Sequence, residues 1–220
     1  MQTLSQQEFD ALTKNATMLT EDEYGKKVLE LADHSILKLF RVKRFISQAT
    51  LYSPARRFAN NTRKLHKLNI PTIKLIALYK IKAIQRTAVH YQQLEGMTLR
   101  HYLHKHPHNE AFLAKVGQFI AHLHNKGIYF RAAHFGNIIV MPNQQLGLID
   151  ISDMSISPFS LGYFKRIRNL KHIFRIAEDI NLLQGSKSIE QSYLQHCSIN
   201  NPLFVHKFLQ TSQLLKSRNA

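Results

Sequence analysis

The chain has one cysteine, Cys197, in 220 residues, and no tryptophan. A single thiol excludes a disulfide framework and fits a reducing compartment. Long apolar runs are missing too, and none approaches the roughly 18 residues that a membrane-crossing helix needs. The opening stretch MQTLSQQEFDALTK has neither the basic start nor the apolar core of a secretory signal, so a cytoplasmic location is expected. No internal repeat or low-complexity linker is present. Acids are scarce: 14 Asp and Glu face 30 Lys and Arg, a formal charge of +16. From His34 to Leu94 there is no acid at all, while Lys38, Arg41, Lys43, Arg44, Arg56, Arg57, Arg63, Lys64, Lys67, Lys74, Lys80, Lys82 and Arg86 fall there. A one-sign block this long draws polyanions: nucleic acid, anionic lipid head groups, lipid A-type phosphates or nucleotide. For any single residue, a solvated basic face is the competing reading.

At this length the chain can bury a core as one domain or as two small lobes. The first forty residues read as a small antiparallel sheet. One strand covers Ala16 to Thr20, an alternating one Lys27 to Ala32, and a third Ile36 to Phe40 after the turn Asp33-His34-Ser35. Lys38 sits inside that apolar third strand, where it could face solvent on an edge. Ser53 and Pro54 open a helix over 53–69 that carries Arg56, Arg57, Arg63, Lys64 and Lys67 and no acid. Ile73 to Ala83 and Ala88 to Leu94 read as further strands. Asn109 to Lys126 is an amphipathic helix with Leu113, Val116, Phe119, Ile120 and Leu123 on one face, closed by Gly127. Its histidines, with His101, His104, His106 and His108 just upstream, are scattered rather than convergent as zinc requires, and read as titratable surface groups. A basic helix is expected from Tyr163 to Ile176, with Phe164, Ile167, Leu170, Ile173 and Phe174 on its packed side. A last helical segment runs from Pro202 to Lys216.

Between these helices lies GIYFRAAHFGNIIVMPNQQLGLIDISD, from Gly127 to Asp153. It reads as two short apolar strands, Ile138 to Val140 and Leu146 to Ile151, joined by Met141-Pro142-Asn143-Gln144-Gln145. An amide, Asn137, precedes the first strand and a carboxylate, Asp150, closes the second. A hairpin that brings these together can hold a divalent cation through hard oxygen ligands.

In this order the motifs resemble the catalytic core of the protein-kinase-like superfamily. The resemblance is closest to the bacterial lipopolysaccharide core (heptose and Kdo) kinase branch and its toluene-tolerance relatives. Phe130-Arg131-Ala132-Ala133-His134-Phe135-Gly136-Asn137 lies over the family's H-R-D-x-x-x-x-N loop, with Ala132 where the catalytic Asp stands. Asp150-Ile151-Ser152 lies over D-F-G. The resemblance implies an α+β, bilobal protein-kinase-like fold. It would have a small antiparallel-sheet N-lobe over 1–94 and a reduced, mainly helical C-lobe over 95–220, with the catalytic-loop hairpin at 127–153. It implies ATP and Mg²⁺ as cofactors, with Asn137 and Asp150 as metal ligands and Lys38 on the α/β-phosphates. Gly25 lies in the position of the phosphate loop, and Gln92, Leu94 and Glu95 in a hinge whose backbone meets adenine. That hinge segment reads equally as a strand-to-helix connection with Glu95-Gly96 as its turn. The helix over 53–69 takes the αC position without its glutamate. The activation segment is short and lacks A-P-E, and the basic helix after it suits packing with a cationic outer face or lying on an anionic leaflet.

Two functions follow from the resemblance. One is a phosphotransferase with impaired or altered catalysis, acting on a lipopolysaccharide core sugar or another anionic acceptor. In it Arg131 neutralises the transferred phosphate, and His134 is either a substitute base or a structural residue. The other is a pseudokinase that docks a protein partner, anionic lipid or other polyanion through its basic face, cytoplasmic or peripheral at the inner face of the membrane. Nucleic-acid binding ranks last, since no recognisable nucleic-acid module is present.

Overall fold

Six strands of the N-terminal part pair into one sheet, in the order β1-β5-β6-β4-β3-β2. They are β1 (Gln2–Leu4), β2 (Thr17–Asp22), β3 (Gly25–Glu30), β4 (Ile36–Arg41), β5 (Lys74–Ile81) and β6 (Arg86–Gln92). The description comes from a computed structural model and covers residues 1–23, 25–41 and 53–219. Tyr24, in the turn where a phosphate loop is expected, and Lys43 and Arg44 of the basic block lie outside the described residues. The fold is mixed α+β, and the chain divides into two compact units, Met1–Leu94 and Glu95–Ala220.

In the first unit the antiparallel ladder from β2 through β3, β4 and β6 to β5 follows from the alternating strands in the sequence. The expectation of a purely antiparallel sheet for the first forty residues is corrected. β1 pairs parallel to β5, Leu4 opposite Ile81, and a helix α1 (Gln6–Thr13) intervenes. The signal for α1 is a capping box: the Ser5 hydroxyl accepts from Glu8 N, and the Glu8 carboxylate accepts from Ser5 N at 2.7 Å. Phe9 of α1 then seals one sheet face over Leu29, Leu31, Leu37, Leu39 and Ile81.

Helix α2 (Pro54–Lys67) starts where Ser53 and Pro54 place it, with the Ser53 hydroxyl accepting from Arg56 N. Ala55, Phe58, Ala59, Thr62 and Leu65 are buried, and Arg56, Arg57, Arg63, Lys64 and Lys67 are exposed. Five cations of the acid-free block thus share the outward side of one helix.

The second unit begins with β7 (Met97–Thr98), α3 (Leu99–Lys105) and α4 (Glu110–Asn125). Two small sheets follow. One is β8 (Ile128–Phe130) with β11 (Met154–Ile156); the other has β9 (Ile138–Val140) between β7 and β10 (Leu146–Leu148). Helices α5 (Tyr163–Ile173), α6 (Ala177–Asn181), α7 (Ser188–His196) and α8 (Pro202–Asn219) complete it.

Two expectations on the helices are corrected. Phe164 does not pack with Leu170, Ile173 and Phe174 but is 83% exposed, and Arg166 and Asn169 are buried in its stead. Among the α4 histidines, His124 is buried, since it falls four residues after Ile120 and eight after Val116 on the inward face. No helix among the described residues is long and apolar enough to cross a membrane.

Gly117 lets α4 and α7 touch backbone to backbone. A Cβ built there would stand 2.2 Å from the Ile189 carbonyl oxygen. Gly117→Ala must push the helices apart and is expected to lower stability by ~2–3 kcal/mol in a urea titration. A loss below ~0.5 kcal/mol would show that this approach is not tight in solution.

Candidate functional site

β9 and β10 pair with Ile138 opposite Leu148, and the ladder continues one step further, where Ile149 N donates to the Asn137 carbonyl at 3.0 Å. That last bond sets Asn137 and Asp150 at the same open end of the hairpin. Asn137 ends a 3₁₀ turn (Phe135–Asn137) and is buried. Its Nδ2 donates to the Ala132 carbonyl at 3.0 Å and to His134 Nε2 at 3.1 Å. A carbonyl can only accept, so the amide orientation is fixed and Oδ1 is left for another partner. Asp150 is half-buried and holds a left-handed backbone, φ 50° and ψ 46°, before a second 3₁₀ turn (Ile151–Asp153). A carboxylate tolerates this conformation at modest cost. The expected strand from Leu146 to Ile151 therefore stops at Leu148, because the chain bends at Asp150.

The loop before the hairpin carries the other expected residues. Because His134 Nε2 accepts from Asn137, its proton lies on Nδ1, which is buried without an acceptor among the described residues. Burial first, and the charge of Arg175 second, push the imidazole below its ordinary range. The neutral ring spends its lone pair orienting Asn137. The Arg131 guanidinium pairs with Asp153, both side chains about half exposed, and Arg131 N donates to the Asp153 carbonyl at 3.1 Å. Ala132 offers only its carbonyl, to Asn137.

Two supports of this loop escaped the sequence reading. The fully buried Asp179 accepts from Phe135 N at 2.9 Å and from Arg100 Nε at 2.6 Å. Its partners are 44 and 79 residues away, so no local pattern announces it. The second support is a buried relay. Arg166 Nη1 donates to the Tyr193 hydroxyl (3.0 Å), which donates to His124 Nδ1 (2.9 Å). His124 Nε2 donates to Asn169 Oδ1 (2.9 Å), and Asn169 Nδ2 donates to the Phe130 carbonyl (2.8 Å). The direction of each step follows from its ends, which are an obligate donor and an obligate acceptor. Phe130 is itself buried and serves as the anchor point.

In the first unit, Lys38 lies on β4 between β3 and β6, so the edge-strand alternative is corrected. Lys38 is half-buried, with Nζ 5.8 Å from the Phe40 ring centre and 5.9 Å from that of Phe58 on α2. Gly25 opens β3 opposite Asp22 and is exposed. Gln92 ends β6, Leu94 is half-buried, and Glu95 is exposed. Gly96 then lies against the hairpin at φ 131°, where a Cβ would meet the Val140 carbonyl oxygen at 2.2 Å. β7 continues on β9, Met97 opposite Val140, and Thr98 caps α3 by accepting from His101 N.

The donor set at the hairpin end, one carboxylate and one amide oxygen, is of the hard oxygen type that suits a hard cation. Among the described residues no group of three or more His, Cys, Asp or Glu could hold a metal ion. No protein-family model and no curated protein matches this chain.

Proposed function

We propose that this is a bilobal, protein-kinase-like protein that binds ATP with Mg²⁺. The observation that carries the reading is the continued ladder at the hairpin end, which seats Asn137 beside Asp150 while His134 and Ala132 orient the amide. In this reading Asn137 and Asp150 hold the metal, which neutralises phosphate charge when bound. Lys38 serves the α/β-phosphates, and the backbone from Gln92 to Glu95 serves adenine. Glu95, at the end of the hinge segment, leads through Gly96 into β7, which pairs with β9 of the hairpin. The acceptor class is an anionic alcohol such as a lipopolysaccharide core sugar. With Ala132 in the place of a carboxylate base, transfer proceeds ~10²–10⁴-fold below a complete kinase.

A second reading, a pseudokinase, rests on the same loop. His134 has its lone pair engaged by Asn137 and so is not free to replace the missing base, and Arg131 is paired with Asp153 rather than held for a transferred phosphate.

Calorimetry with ATP, with and without Mg²⁺, tests the site. Wild type is expected to bind Mg²⁺-ATP, and Asp150→Ala or Asn137→Ala to bind it at least ~10-fold more weakly. Failure of wild type to bind at millimolar nucleotide overturns the reading. Phosphate release measured alongside separates the two versions: turnover lost in Asp150→Ala supports the transferase, and binding without turnover supports the pseudokinase.

A further inference from the structure

Three large apolar side chains stand far more open to solvent than any others among the described residues: Phe159 (78%), Phe164 (83%) and Leu203 (76%). They gather at one corner of the second unit. The loop before α5 and the first turn of α5 wall a concavity of about 310 Å³, lined by residues 157 and 160–165. Phe159 lies within that loop, and Phe164 forms part of the wall. The Tyr163 ring joins this corner to the start of α8, with its centre 5.0 Å from the Phe164 ring and 5.4 Å from that of Phe204, next to Leu203.

The corner continues into a row of cations. Lys165, Arg168 and Lys171 on α5, and Arg175 just beyond it, are exposed, and among the described residues none is ion-paired. Phe164, Arg168 and Lys171 recur at four- and three-residue spacing on α5, so they share its outward side. From Met154 to Ala177 the sequence contains no Asp or Glu. Water opposes leaving so much apolar surface bare, and an isolated patch of this kind marks a contact surface.

We propose that this corner docks the protein on an anionic lipid surface, with Phe159, Phe164 and Leu203 entering the head-group region and the α5 cations resting on lipid phosphates. Such a surface is negative outside and apolar a few ångströms below, and the corner offers cations and protruding apolar groups in that relation. The proposal is independent of nucleotide binding, and it uses α5 rather than the basic side of α2.

The absence of tryptophan makes Phe164→Trp a unique fluorescent reporter in the full chain. On vesicles of phosphatidylcholine with phosphatidylglycerol its emission is expected to shift to the blue and to be quenched by brominated acyl chains. On pure phosphatidylcholine the shift should be much smaller, and added salt should reduce it. In co-sedimentation, the triple change Phe159→Ser, Phe164→Ser, Leu203→Ser is expected to weaken partitioning at least ~30-fold. Lys165→Glu, Arg168→Glu, Lys171→Glu together should weaken it at least ~100-fold. All six side chains are exposed, so unchanged unfolding midpoints will certify the fold. The proposal is overturned if wild type ignores anionic vesicles, or if both triple variants partition like wild type. It is equally overturned if only Arg56→Glu, Arg63→Glu, Lys67→Glu on α2 abolishes binding, or if the apolar triple variant merely dissolves a dimer.

Discussion

Arg166→Leu is expected to lower the stability of the protein by about 4 kcal/mol, close to the upper end for single substitutions. Arg166 is fully buried. Nε donates to the Leu161 carbonyl at 2.6 Å, and Nη1 to the Tyr193 hydroxyl and to Cys197 Sγ at 3.0 and 3.2 Å. Nη2 donates to Asn125 Oδ1, Ser160 Oγ and Ser198 Oγ, each at 2.9 Å. These partners come from the end of α4, the loop before α5, and α7 with the residues after it. No carboxylate is among them, so the buried charge is held by neutral dipoles and charge-assisted hydrogen bonds. Replacing a buried ion pair by apolar groups is often harmless, because both partners' desolvation is relieved together. Here only the arginine's penalty would be relieved, while several carbonyl and hydroxyl groups would stay behind without their donor, so the loss dominates. Lysine, a point charge without the planar fork, should recover less than half of it. Urea unfolding of the three proteins decides the matter. A loss under ~1 kcal/mol for leucine would mean that water replaces the guanidinium.

Acid should unfold this protein early. Burial pushes the His124 imidazole down from 6.5 to about 3, the bond to Asn169 opposing this and the Arg166 charge adding to it. The unfolded chain therefore takes up this proton near pH 6.5, and the folded chain only near pH 3. Above that window the contribution to stability is complete. As pH falls through it, the unfolded state binds one more proton, and stability drops by ~1.4 kcal/mol per pH unit, on the order of 5 kcal/mol in all. Burial also holds His90, His122, His134 and His172 below their ordinary range, and these add loss of the same sign below pH 6.5. Hydrogen bonds from serines hold the carboxyls of Glu8, Asp33 and Glu110 low, so their support disappears at still lower pH. On the alkaline side, burial raises the Tyr193 hydroxyl, and its contribution is lost as pH rises beyond 10. In His124→Gln the pH slope of stability between 6.5 and 3 is expected to fall by about one proton, at a cost near neutrality of ~2 kcal/mol. An unchanged slope would place the acid sensitivity on another group.

What was legible in the chain was local. The periodicity of α4, the Ser53-Pro54 start of α2 and the turn chemistry between β9 and β10 all act within a few residues, so their signals sit together in the sequence. The capping box at Ser5 and Glu8 is of the same kind, and it lay in plain view beneath an expectation of strands. Asn137 and Asp150 could be singled out because a tight hairpin brings its two ends together by construction.

Composition and short-range pattern alone determined that this is a basic chain of alternating strands and amphipathic helices, with an amide and a carboxylate closing one hairpin. Only the tertiary structure decided that β1 adds parallel to β5, that Lys38 lies on an inner strand beside Phe58, and that His124 and Arg166 are buried while Phe164 is not. The physical reason is distance along the chain. A buried charge or imidazole is tolerable only where donors and acceptors from remote segments converge on it, as Asn125, Ser160, Tyr193 and Ser198 converge on Arg166. Which face of α5 turns inward is settled by that convergence rather than by hydrophobicity, and the helix therefore buries its arginine and leaves its phenylalanine outside.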